Sequence, residues 1–290
     1  LAGNSGAMKE NVPDHYRAFT VDQTEPEVLS VKYYMYVDKN TLEISPGKAE
    51  QERYYGNDRI YSVITLKEHN FIGADAENGK VGGLELAITA NNRGENYTDP
   101  AYQWISSQGD IHTLRVDYNS DANYNFDMQY TDLASNTLSQ EYAAEYFTVD
   151  TALPTAKIRL DNIGGIWSEF VEIISFGLFS NESQTVTIFD EKDTTSGVQF
   201  VEYYKSHNEC TVSQLDNVSW TAGKSLTITA NERCVVYGKI TDRSGNYTYI
   251  STNGFVVDDR IDKPIISIVT PEPLNHIYNG PVDVQITVED

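Results

Sequence analysis

The chain has 290 residues, 40% of them hydrophobic, and a formal net charge of −22. Its length suggests about two domains, and its apolar content is enough to give each of them a buried core. The negative charge disfavours nucleic acids and anionic membrane surfaces, because both are bound through clustered lysine and arginine. No apolar run in the sequence is long enough to cross a bilayer.

Tyrosine, threonine, valine and isoleucine are plentiful, which favours half-buried strands, so we predict an all-β chain. In the first half, alternating apolar and polar residues predict strands at 27–37, 59–67, 84–89, 112–118 and 124–130. The polar stretch 40–57 is expected to be a surface excursion, with one helical turn at 49–54 as an alternative.

The second half continues the alternation of strands and polar turns. Strands are predicted at 186–189, 198–204, 226–229, 234–241, 265–268 and 282–288. Residues 212–218 are expected to form a short helical turn. The whole pattern is typical of β-sandwiches, in which one face of each strand points inward.

A two-part stretch occurs three times. It consists of a polar turn, which reads Asp-x-x-x-Asn in the later copies, then Phe-x-Val-Asp and a proline. The copies lie at 1–4, 19–22 and Pro26, at 132–136, 147–150 and Pro154, and at 242–246, 255–258 and Pro264. An aspartate after a strand accepts hydrogen bonds from turn amides, Asn or Gly supplies the left-handed residue, and proline ends strand pairing. Copies roughly 110–130 residues apart indicate tandem domains.

These residues resemble the end of the immunoglobulin-like domains that are strung along surface proteins of Gram-positive bacteria, especially gut Firmicutes. Trp104 with 109–113, and Trp220 with 235–242, are similar to two subtypes of those domains. The resemblance implies tandem immunoglobulin-like β-sandwich domains in an elongated array. The expected boundaries are 1–25 for the last strand of a preceding domain and its linker, 26–152 and 153–260 for two full domains, and 261–290 for the truncated start of another.

The resemblance also implies a function. We expect a non-catalytic segment of a secreted or wall-anchored bacterial surface protein that acts as an adhesin, a stalk or both. Expected partners are a host extracellular protein or a glycan, and the segment is expected to be monomeric, without membrane insertion. Two alternatives are an accessory region of an extracellular carbohydrate-active enzyme and a surface protein that binds immunoglobulin. An exposed aromatic row on one sheet face would favour glycan binding.

Catalysis is not predicted. The sequence has no Gly-x-Ser-x-Gly elbow, no His-Glu-x-x-His zinc motif and no phosphate-binding glycine loop. Acidic pairs arise by chance among 43 aspartates and glutamates. His112 lies on an apolar strand face and is expected to be a hydrogen-bonded core residue, and His69 is expected to bond within a turn.

Tyrosines are the remaining binding signal, with 20 in the chain and several in adjacent pairs. Strand alternation turns one ring of each pair inward and leaves the other on the surface. A surface tyrosine offers a large contact area and a hydrogen-bonding tip, as interfaces favour. The candidate ligand-binding residues are Tyr34, Tyr36 and Tyr55.

No cofactor is required by the sequence, and calcium is the one ion considered. Asp117, Asn119, Asp121 and Asn123 alternate as oxygen ligands do in calcium loops, but position 122 lacks the glycine of such a loop and position 128 lacks its glutamate. A polar turn between strands explains the same residues. Further acidic candidates are Asp190, Glu191, Asp193, Asp258, Asp259 and Asp262.

Cys210 and Cys234 are the only cysteines. A disulfide between them and two half-buried free thiols are both compatible with the sequence.

Overall fold

The structure is a computed structural model that describes residues 20–47, 53–56, 59–71, 80–81, 84–138, 142–259, 265–275 and 277–287. The prediction of an all-β chain is confirmed, since 53% of the described residues lie in strands and 2% in a helix. The chain divides into two compact units. Unit 1 consists of 1–155, 192–200 and 240–248, and unit 2 of 156–191, 201–239 and 249–290.

Ten strands build the two sheets of unit 1. They are β1 (Glu27–Val37), β2 (Asn40–Ile44), β3 (Tyr54–Tyr55), β4 (Ile60–Lys67), β5 (Lys80–Val81), β6 (Leu84–Asn91), β7 (Ala101–Gln108), β8 (Ile111–Tyr118), β9 (Ala122–Tyr130) and β10 (Glu145–Val149). Sheet 1 has the order β2-β1-β4-β8-β7 and is antiparallel throughout. Sheet 2 has the order β3-β10-β9-β6-β5, in which β3 and β10 run parallel. The five strands predicted in this half are therefore confirmed.

The core of unit 1 lies between these sheets, an arrangement that fits a β-sandwich. Tyr33 on β1 and Tyr118 on β8 meet Phe147 on β10, with ring centroids 5.4 and 4.9 Å apart. All three rings are almost completely buried. Period-two alternation explains the core, because every second residue of β4, β8 and β9 is buried.

The surface excursion predicted at 40–57 is wrong for its first part. β2 forms a hairpin with β1, in which Tyr36 pairs with Thr41. The two turn residues, Asp38 and Lys39, have φ of 47° and 68°. Two left-handed residues match the twist of a tight hairpin, but Asp-Lys is not the Asn-Gly or Asp-Gly signal by which sequence reveals such a turn. Most of the alternative helical turn at 49–54 lies outside the described residues.

Unit 2 is built mainly from two further sheets. Their elements are β11 (Thr155–Leu160), β12 (Ile166–Trp167), β13 (Leu178–Ser180), β14 (Gln184–Lys192), β15 (Val198–Ser206), α1 (Val212–Leu215), β16 (Thr221–Ala222), β17 (Ser225–Ile228), β18 (Glu232–Asp242), β19 (Tyr247–Ser251) and β20 (Phe255–Val257). One sheet has the order β12-β11-β14-β17, and the other β13-β20-β18-β15-β16 with β19 on β18. The predicted helical turn is confirmed as α1, whose Thr211 and Gln214 form a capping box.

The closing strands of the two units pair in the same way. β10 and β20, which carry the repeated Phe-x-Val, each run parallel to a short earlier strand, β3 and β13. Further along, β21 (Ile265–Ile268) and β22 (Val284–Thr287) form a separate antiparallel pair. The recurrence at 147 and 255 therefore reports a repeated structural role for the motif.

Replacing Phe147 should destabilise unit 1 strongly. Its ring contacts Tyr33, Tyr118 and Tyr124, so Phe147→Ala leaves a cavity and should lower the free energy of unfolding by about 3–5 kcal/mol. Urea denaturation monitored by far-UV circular dichroism measures the change. Phe179→Ala is the control, because that ring is 69% exposed and its loss should cost less than about 0.5 kcal/mol. Equal effects of the two changes would contradict the packing described here.

Candidate functional site

A groove of about 570 Å³ opens on the outer face of sheet 1. Its walls come from neighbouring strands and the ends of those strands. The lining residues are Tyr36, Thr41, Arg59, Tyr61, Arg115, Asp117 and Asn119. The same alternation that turns Tyr33 and Tyr118 into the core turns the intervening residues outward, so the groove is a consequence of the strand register.

One row of side chains crosses three strands beside and within this groove. Tyr34 on β1 pairs with Tyr61 on β4, which pairs with Asp117 on β8. The rings of Tyr34 and Tyr61 stack with centroids 5.3 Å apart and planes 25° apart. Cross-strand aromatic pairs of this kind stabilise a sheet and present a flat surface.

Two guanidinium groups lie against the tyrosines. The Arg115 guanidinium carbon is 3.8 Å from the centre of the Tyr61 ring, and that of Arg59 is 5.6 Å from the centre of Tyr36. Arg115 Nε also donates to Asp117 Oδ1 at 2.8 Å. Since this ion pair is partly exposed, its net contribution to stability is small, and its effect is to orient the guanidinium over the ring.

The groove can bind a molecule that has both flat apolar faces and hydroxyl groups. Tyrosine rings and stacked guanidinium planes provide contact area with little conformational freedom to lose. Asp117, Asn119 and Thr41 add acceptors and donors along the same wall. A few placed polar groups among aromatic side chains are typical of small-ligand sites.

The three candidate tyrosines lie in two different places. Tyr36 lines the groove and Tyr34 stacks on its Tyr61 wall. Tyr55 lies in β3 of the other sheet, donates to the backbone oxygen of Ser45 at 2.7 Å and packs against the core. Its burial raises the pKa of its phenol. Tyr55 therefore serves the packing of sheet 2, apart from the groove.

The four residues considered as a calcium loop have separate partners. Asp117 is held by Arg115, and Asp121 accepts from the backbone and hydroxyl of Thr151. Asn123 donates to Thr148 Oγ1 at 2.6 Å. Asp117 and Asn119 meet only as part of the groove wall. Asp117 and Asn123 lie in β8 and β9, which belong to different sheets, and Asn119 and Asp121 lie in the link between these strands.

The other acidic candidates have different neighbours. Lys157 pairs with Asp190 at 2.7 Å and Lys224 with Glu191 at 3.2 Å, so two of them are neutralised by lysines. Asp193 lies in a cluster with Asp150 and Asp242. Asp258 and Asp259 belong to no carboxylate cluster of the described residues, and Asp262 lies outside those residues.

Among the described residues of unit 1, two carboxylate triads have their oxygens within 4.8 Å of one another. The first triad is Asp22, Glu68 and Asp132, and the second is Asp150, Asp193 and Asp242. Each contains the Asp of a Phe-x-Val-Asp copy and the Asp of an Asp-x-x-x-Asn copy. From the sequence, the aspartates of the repeated motif were interpreted only as part of a turn and a closing strand. Their recurrence was the signal that could have shown that they lie together.

In each triad, the asparagine of the repeated motif forms hydrogen bonds with both aspartates of that motif. Asn136 donates from its backbone and side chain to Asp132, and its side chain reaches the backbone oxygen of Asp22 at 3.4 Å. Asn246 makes the same bonds to Asp242 and reaches the backbone oxygen of Asp150 at 2.9 Å. The left-handed turn residue is Ser135 in one copy and Gly245 in the other. The expectation that an asparagine would take this conformation is therefore wrong for Asn136, which acts as a hydrogen-bond donor.

Burial and charge shift the pKa values of the triads. Burial, followed by the charges of Asp193 and Asp242, raises the pKa of Asp150 to about 6. Burial raises the pKa of Glu68 and of Asp242. A hydrogen bond from Asn70 lowers the pKa of the more exposed Asp22. Three carboxylates held this closely repel one another unless a proton or a cation intervenes.

Two of the five histidines were considered as site residues, and both form hydrogen bonds, as predicted. His112 is buried, its Nδ1 is 2.8 Å from Ser107 Oγ, its Nε2 is 2.8 Å from the Glu68 backbone oxygen, and its ring stacks on Phe71. His69 bonds Asp110 at 2.8 Å near the turn before β8. The hydrogen bonds of these ring nitrogens all go to other groups of the protein.

The two cysteines are free thiols, the second of the two alternatives. Cys234 is fully buried in β18, and burial raises the pKa of its thiol to about 12. Cys210 is partly exposed, and its sulfur lies 3.4 Å from Ser206 Oγ.

Comparisons of the chain with models of protein families, with curated proteins and with solved structures gave no match. Within the described part of the chain, no helix has the length and apolarity needed to span a bilayer.

The thiols should differ sharply in reactivity. Only thiolates attack alkylating agents, so the buried Cys234 should not react in the folded protein at pH 8, whereas Cys210 should. Mass spectrometry after iodoacetamide treatment should show one label on native protein and two in urea. In Cys210→Ser, native protein should take up no label. Two labels on native wild-type protein, or none in urea, would contradict this arrangement.

Proposed function

We propose that this chain is a non-catalytic segment of a secreted or wall-attached bacterial surface protein, and that it binds a glycan through the groove of unit 1. The resemblance of the repeated motif to tandem immunoglobulin-like domains supports the surface-protein part. The two stacked sheets of unit 1 and the matching closing strands β10 and β20 are consistent with that architecture. Repeated modules on one chain increase the effective concentration of binding sites at a partner surface.

The observation that supports glycan binding is the aromatic row on sheet 1. A sugar ring has an apolar face that can lie against Tyr36 and Tyr61, the tyrosines that line the groove, and hydroxyl groups that can bond Asp117 and Asn119. A glycan needs no deep pocket, so an open groove on a flat sheet is sufficient. An exposed aromatic row on one sheet face was the feature expected to favour glycan binding, and the tyrosines of this row are half-buried.

The same observation fits the first of the two alternatives, an accessory region of an extracellular carbohydrate-active enzyme. In both cases the segment holds a polysaccharide or glycoprotein and performs no chemistry itself. Immunoglobulin binding is a third candidate, for which the exposed edge strand β2 is the available surface.

Loss of the Tyr61 ring should weaken glycan binding. We expect Tyr61→Ala to reduce affinity roughly tenfold, which corresponds to about 1.4 kcal/mol, whereas Tyr61→Phe keeps the stacking surface and should change affinity little. Arg115→Lys keeps the charge but loses the planar group, so it should resemble Tyr61→Ala more than wild type. Binding is measured on arrays of mucin and plant-polysaccharide oligosaccharides and then by calorimetry with the best ligand.

Phe200→Ala is the matched control, because that ring is 53% exposed and does not line the groove. The proposal is wrong if no oligosaccharide on the arrays binds, or if Tyr61→Ala and Phe200→Ala bind equally well. Capture of antibody from serum by a chain that binds no oligosaccharide would favour the immunoglobulin alternative.

A further inference from the structure

The first triad joins three separate segments of unit 1. Asp22 precedes β1, Glu68 directly follows β4, and Asp132 follows β9. Glu68 is 3% exposed and Asp132 is 6% exposed, so two of the three carboxylates are out of water. Their oxygens lie within 4.8 Å of one another and of an oxygen of Asp22.

Among the described residues, no lysine or arginine forms an ion pair with this triad. Histidine is the other cationic side chain near it, and His69 is 74% exposed and bonded to Asp110 instead. His112 presents its ring nitrogens to Ser107 and to the Glu68 backbone. Buried carboxylates are normally paired with a cationic group or coordinate a metal, so the triad needs a counter-charge.

The neighbouring tyrosine gives independent support for a ligand. Tyr130 is 1% exposed, and its hydroxyl has no hydrogen-bond partner within the described structure. It lies two residues before Asp132, on the same side of the chain, and both residues are buried. A buried hydroxyl without a partner normally marks an unfilled interaction.

We propose that Asp22, Glu68 and Asp132 bind a calcium ion, and that the buried Tyr130 hydroxyl, two residues before Asp132, is an additional oxygen group of this site. Calcium takes oxygen ligands, including carboxylates from separate segments, in a flexible geometry. Magnesium demands a near-ideal octahedron and normally keeps several waters, with only one or two carboxylates. The all-oxygen set has no sulfur or imidazole that would favour zinc.

Existing hydrogen bonds already orient the three carboxylates. The backbone of Asn70 donates to Glu68 Oε1 at 2.8 Å, and its side chain donates to Asp22 Oδ2 at 2.6 Å. Asn136 donates to both oxygens of Asp132. A carboxylate oxygen has more than one lone-pair direction, so these donors fix the ligands and leave them able to coordinate.

Substitution of Glu68 should remove this site. Glu68→Gln keeps an oxygen that can accept from Asn70 but removes the charge, so the chain should bind one calcium ion fewer than wild type, or bind it at least tenfold more weakly. Isothermal calorimetry with CaCl₂ on the metal-free full chain measures the stoichiometry. Calcium should also raise the melting temperature of wild type more than that of Glu68→Gln, because a ligand of the native state stabilises it.

Asp161→Asn is the matched control, since it removes the same charge from an exposed carboxylate paired with Arg159, and it should bind calcium as wild type does. Asp22→Asn alters a partly exposed ligand in a loop, so it tests the site even if Glu68→Gln does not fold. Terbium emission sensitised by tyrosine should fall in Tyr130→Phe. The proposal is overturned if wild type binds no calcium, if Asp22→Asn and Glu68→Gln bind as many ions as wild type with the same affinity, or if equimolar magnesium displaces calcium.

Discussion

The register of β1, β4 and β8 determines both the core and the groove of unit 1. Tyr33 packs inward on Phe147, whereas Tyr34, the next residue, stacks outward on Tyr61. A slip of one residue would exchange these faces, placing Arg115 in the core and Leu114 in water. Because burying an unpaired guanidinium costs far more than it gains, the packing of the core fixes the position of every side chain in the groove.

Most of the fold could be predicted because alternation is a local signal. β8 and β9 show it over their whole length, and their buried residues are the ones that the alternation turns inward. The hairpin of β1 and β2 could not be predicted, because Asp38 and Lys39 adopt left-handed conformations that their residue types do not announce. The position of a strand within its sheet could not be predicted either, because pairing joins residues that are far apart in sequence, such as Tyr54 of β3 and Thr148 of β10.

The candidate sites were predictable only in part. Tyr34 and Tyr36 could be chosen from strand alternation, but Tyr61 and Arg115 enter the groove only through cross-strand pairing. The triads show the same limit: the sequence reveals that Asp22 and Asp132 belong to repeated motifs, yet Glu68 joins them through folding alone. Asp117 and Asp121, which were chosen because acidic residues alternate around them, belong to neither triad.

Selective tyrosine-ring labelling would test the central claim most directly. Aromatic resonances of the full chain are recorded by NMR during titration with oligosaccharides released from intestinal mucin and with plant-polysaccharide oligosaccharides. If the outward face of sheet 1 is the binding surface, Tyr34, Tyr36 and Tyr61 shift while the buried rings of Tyr33, Tyr118 and Tyr124 do not. Shifts in the buried rings without shifts in the outward ones, or no shift in any ring, would contradict the account.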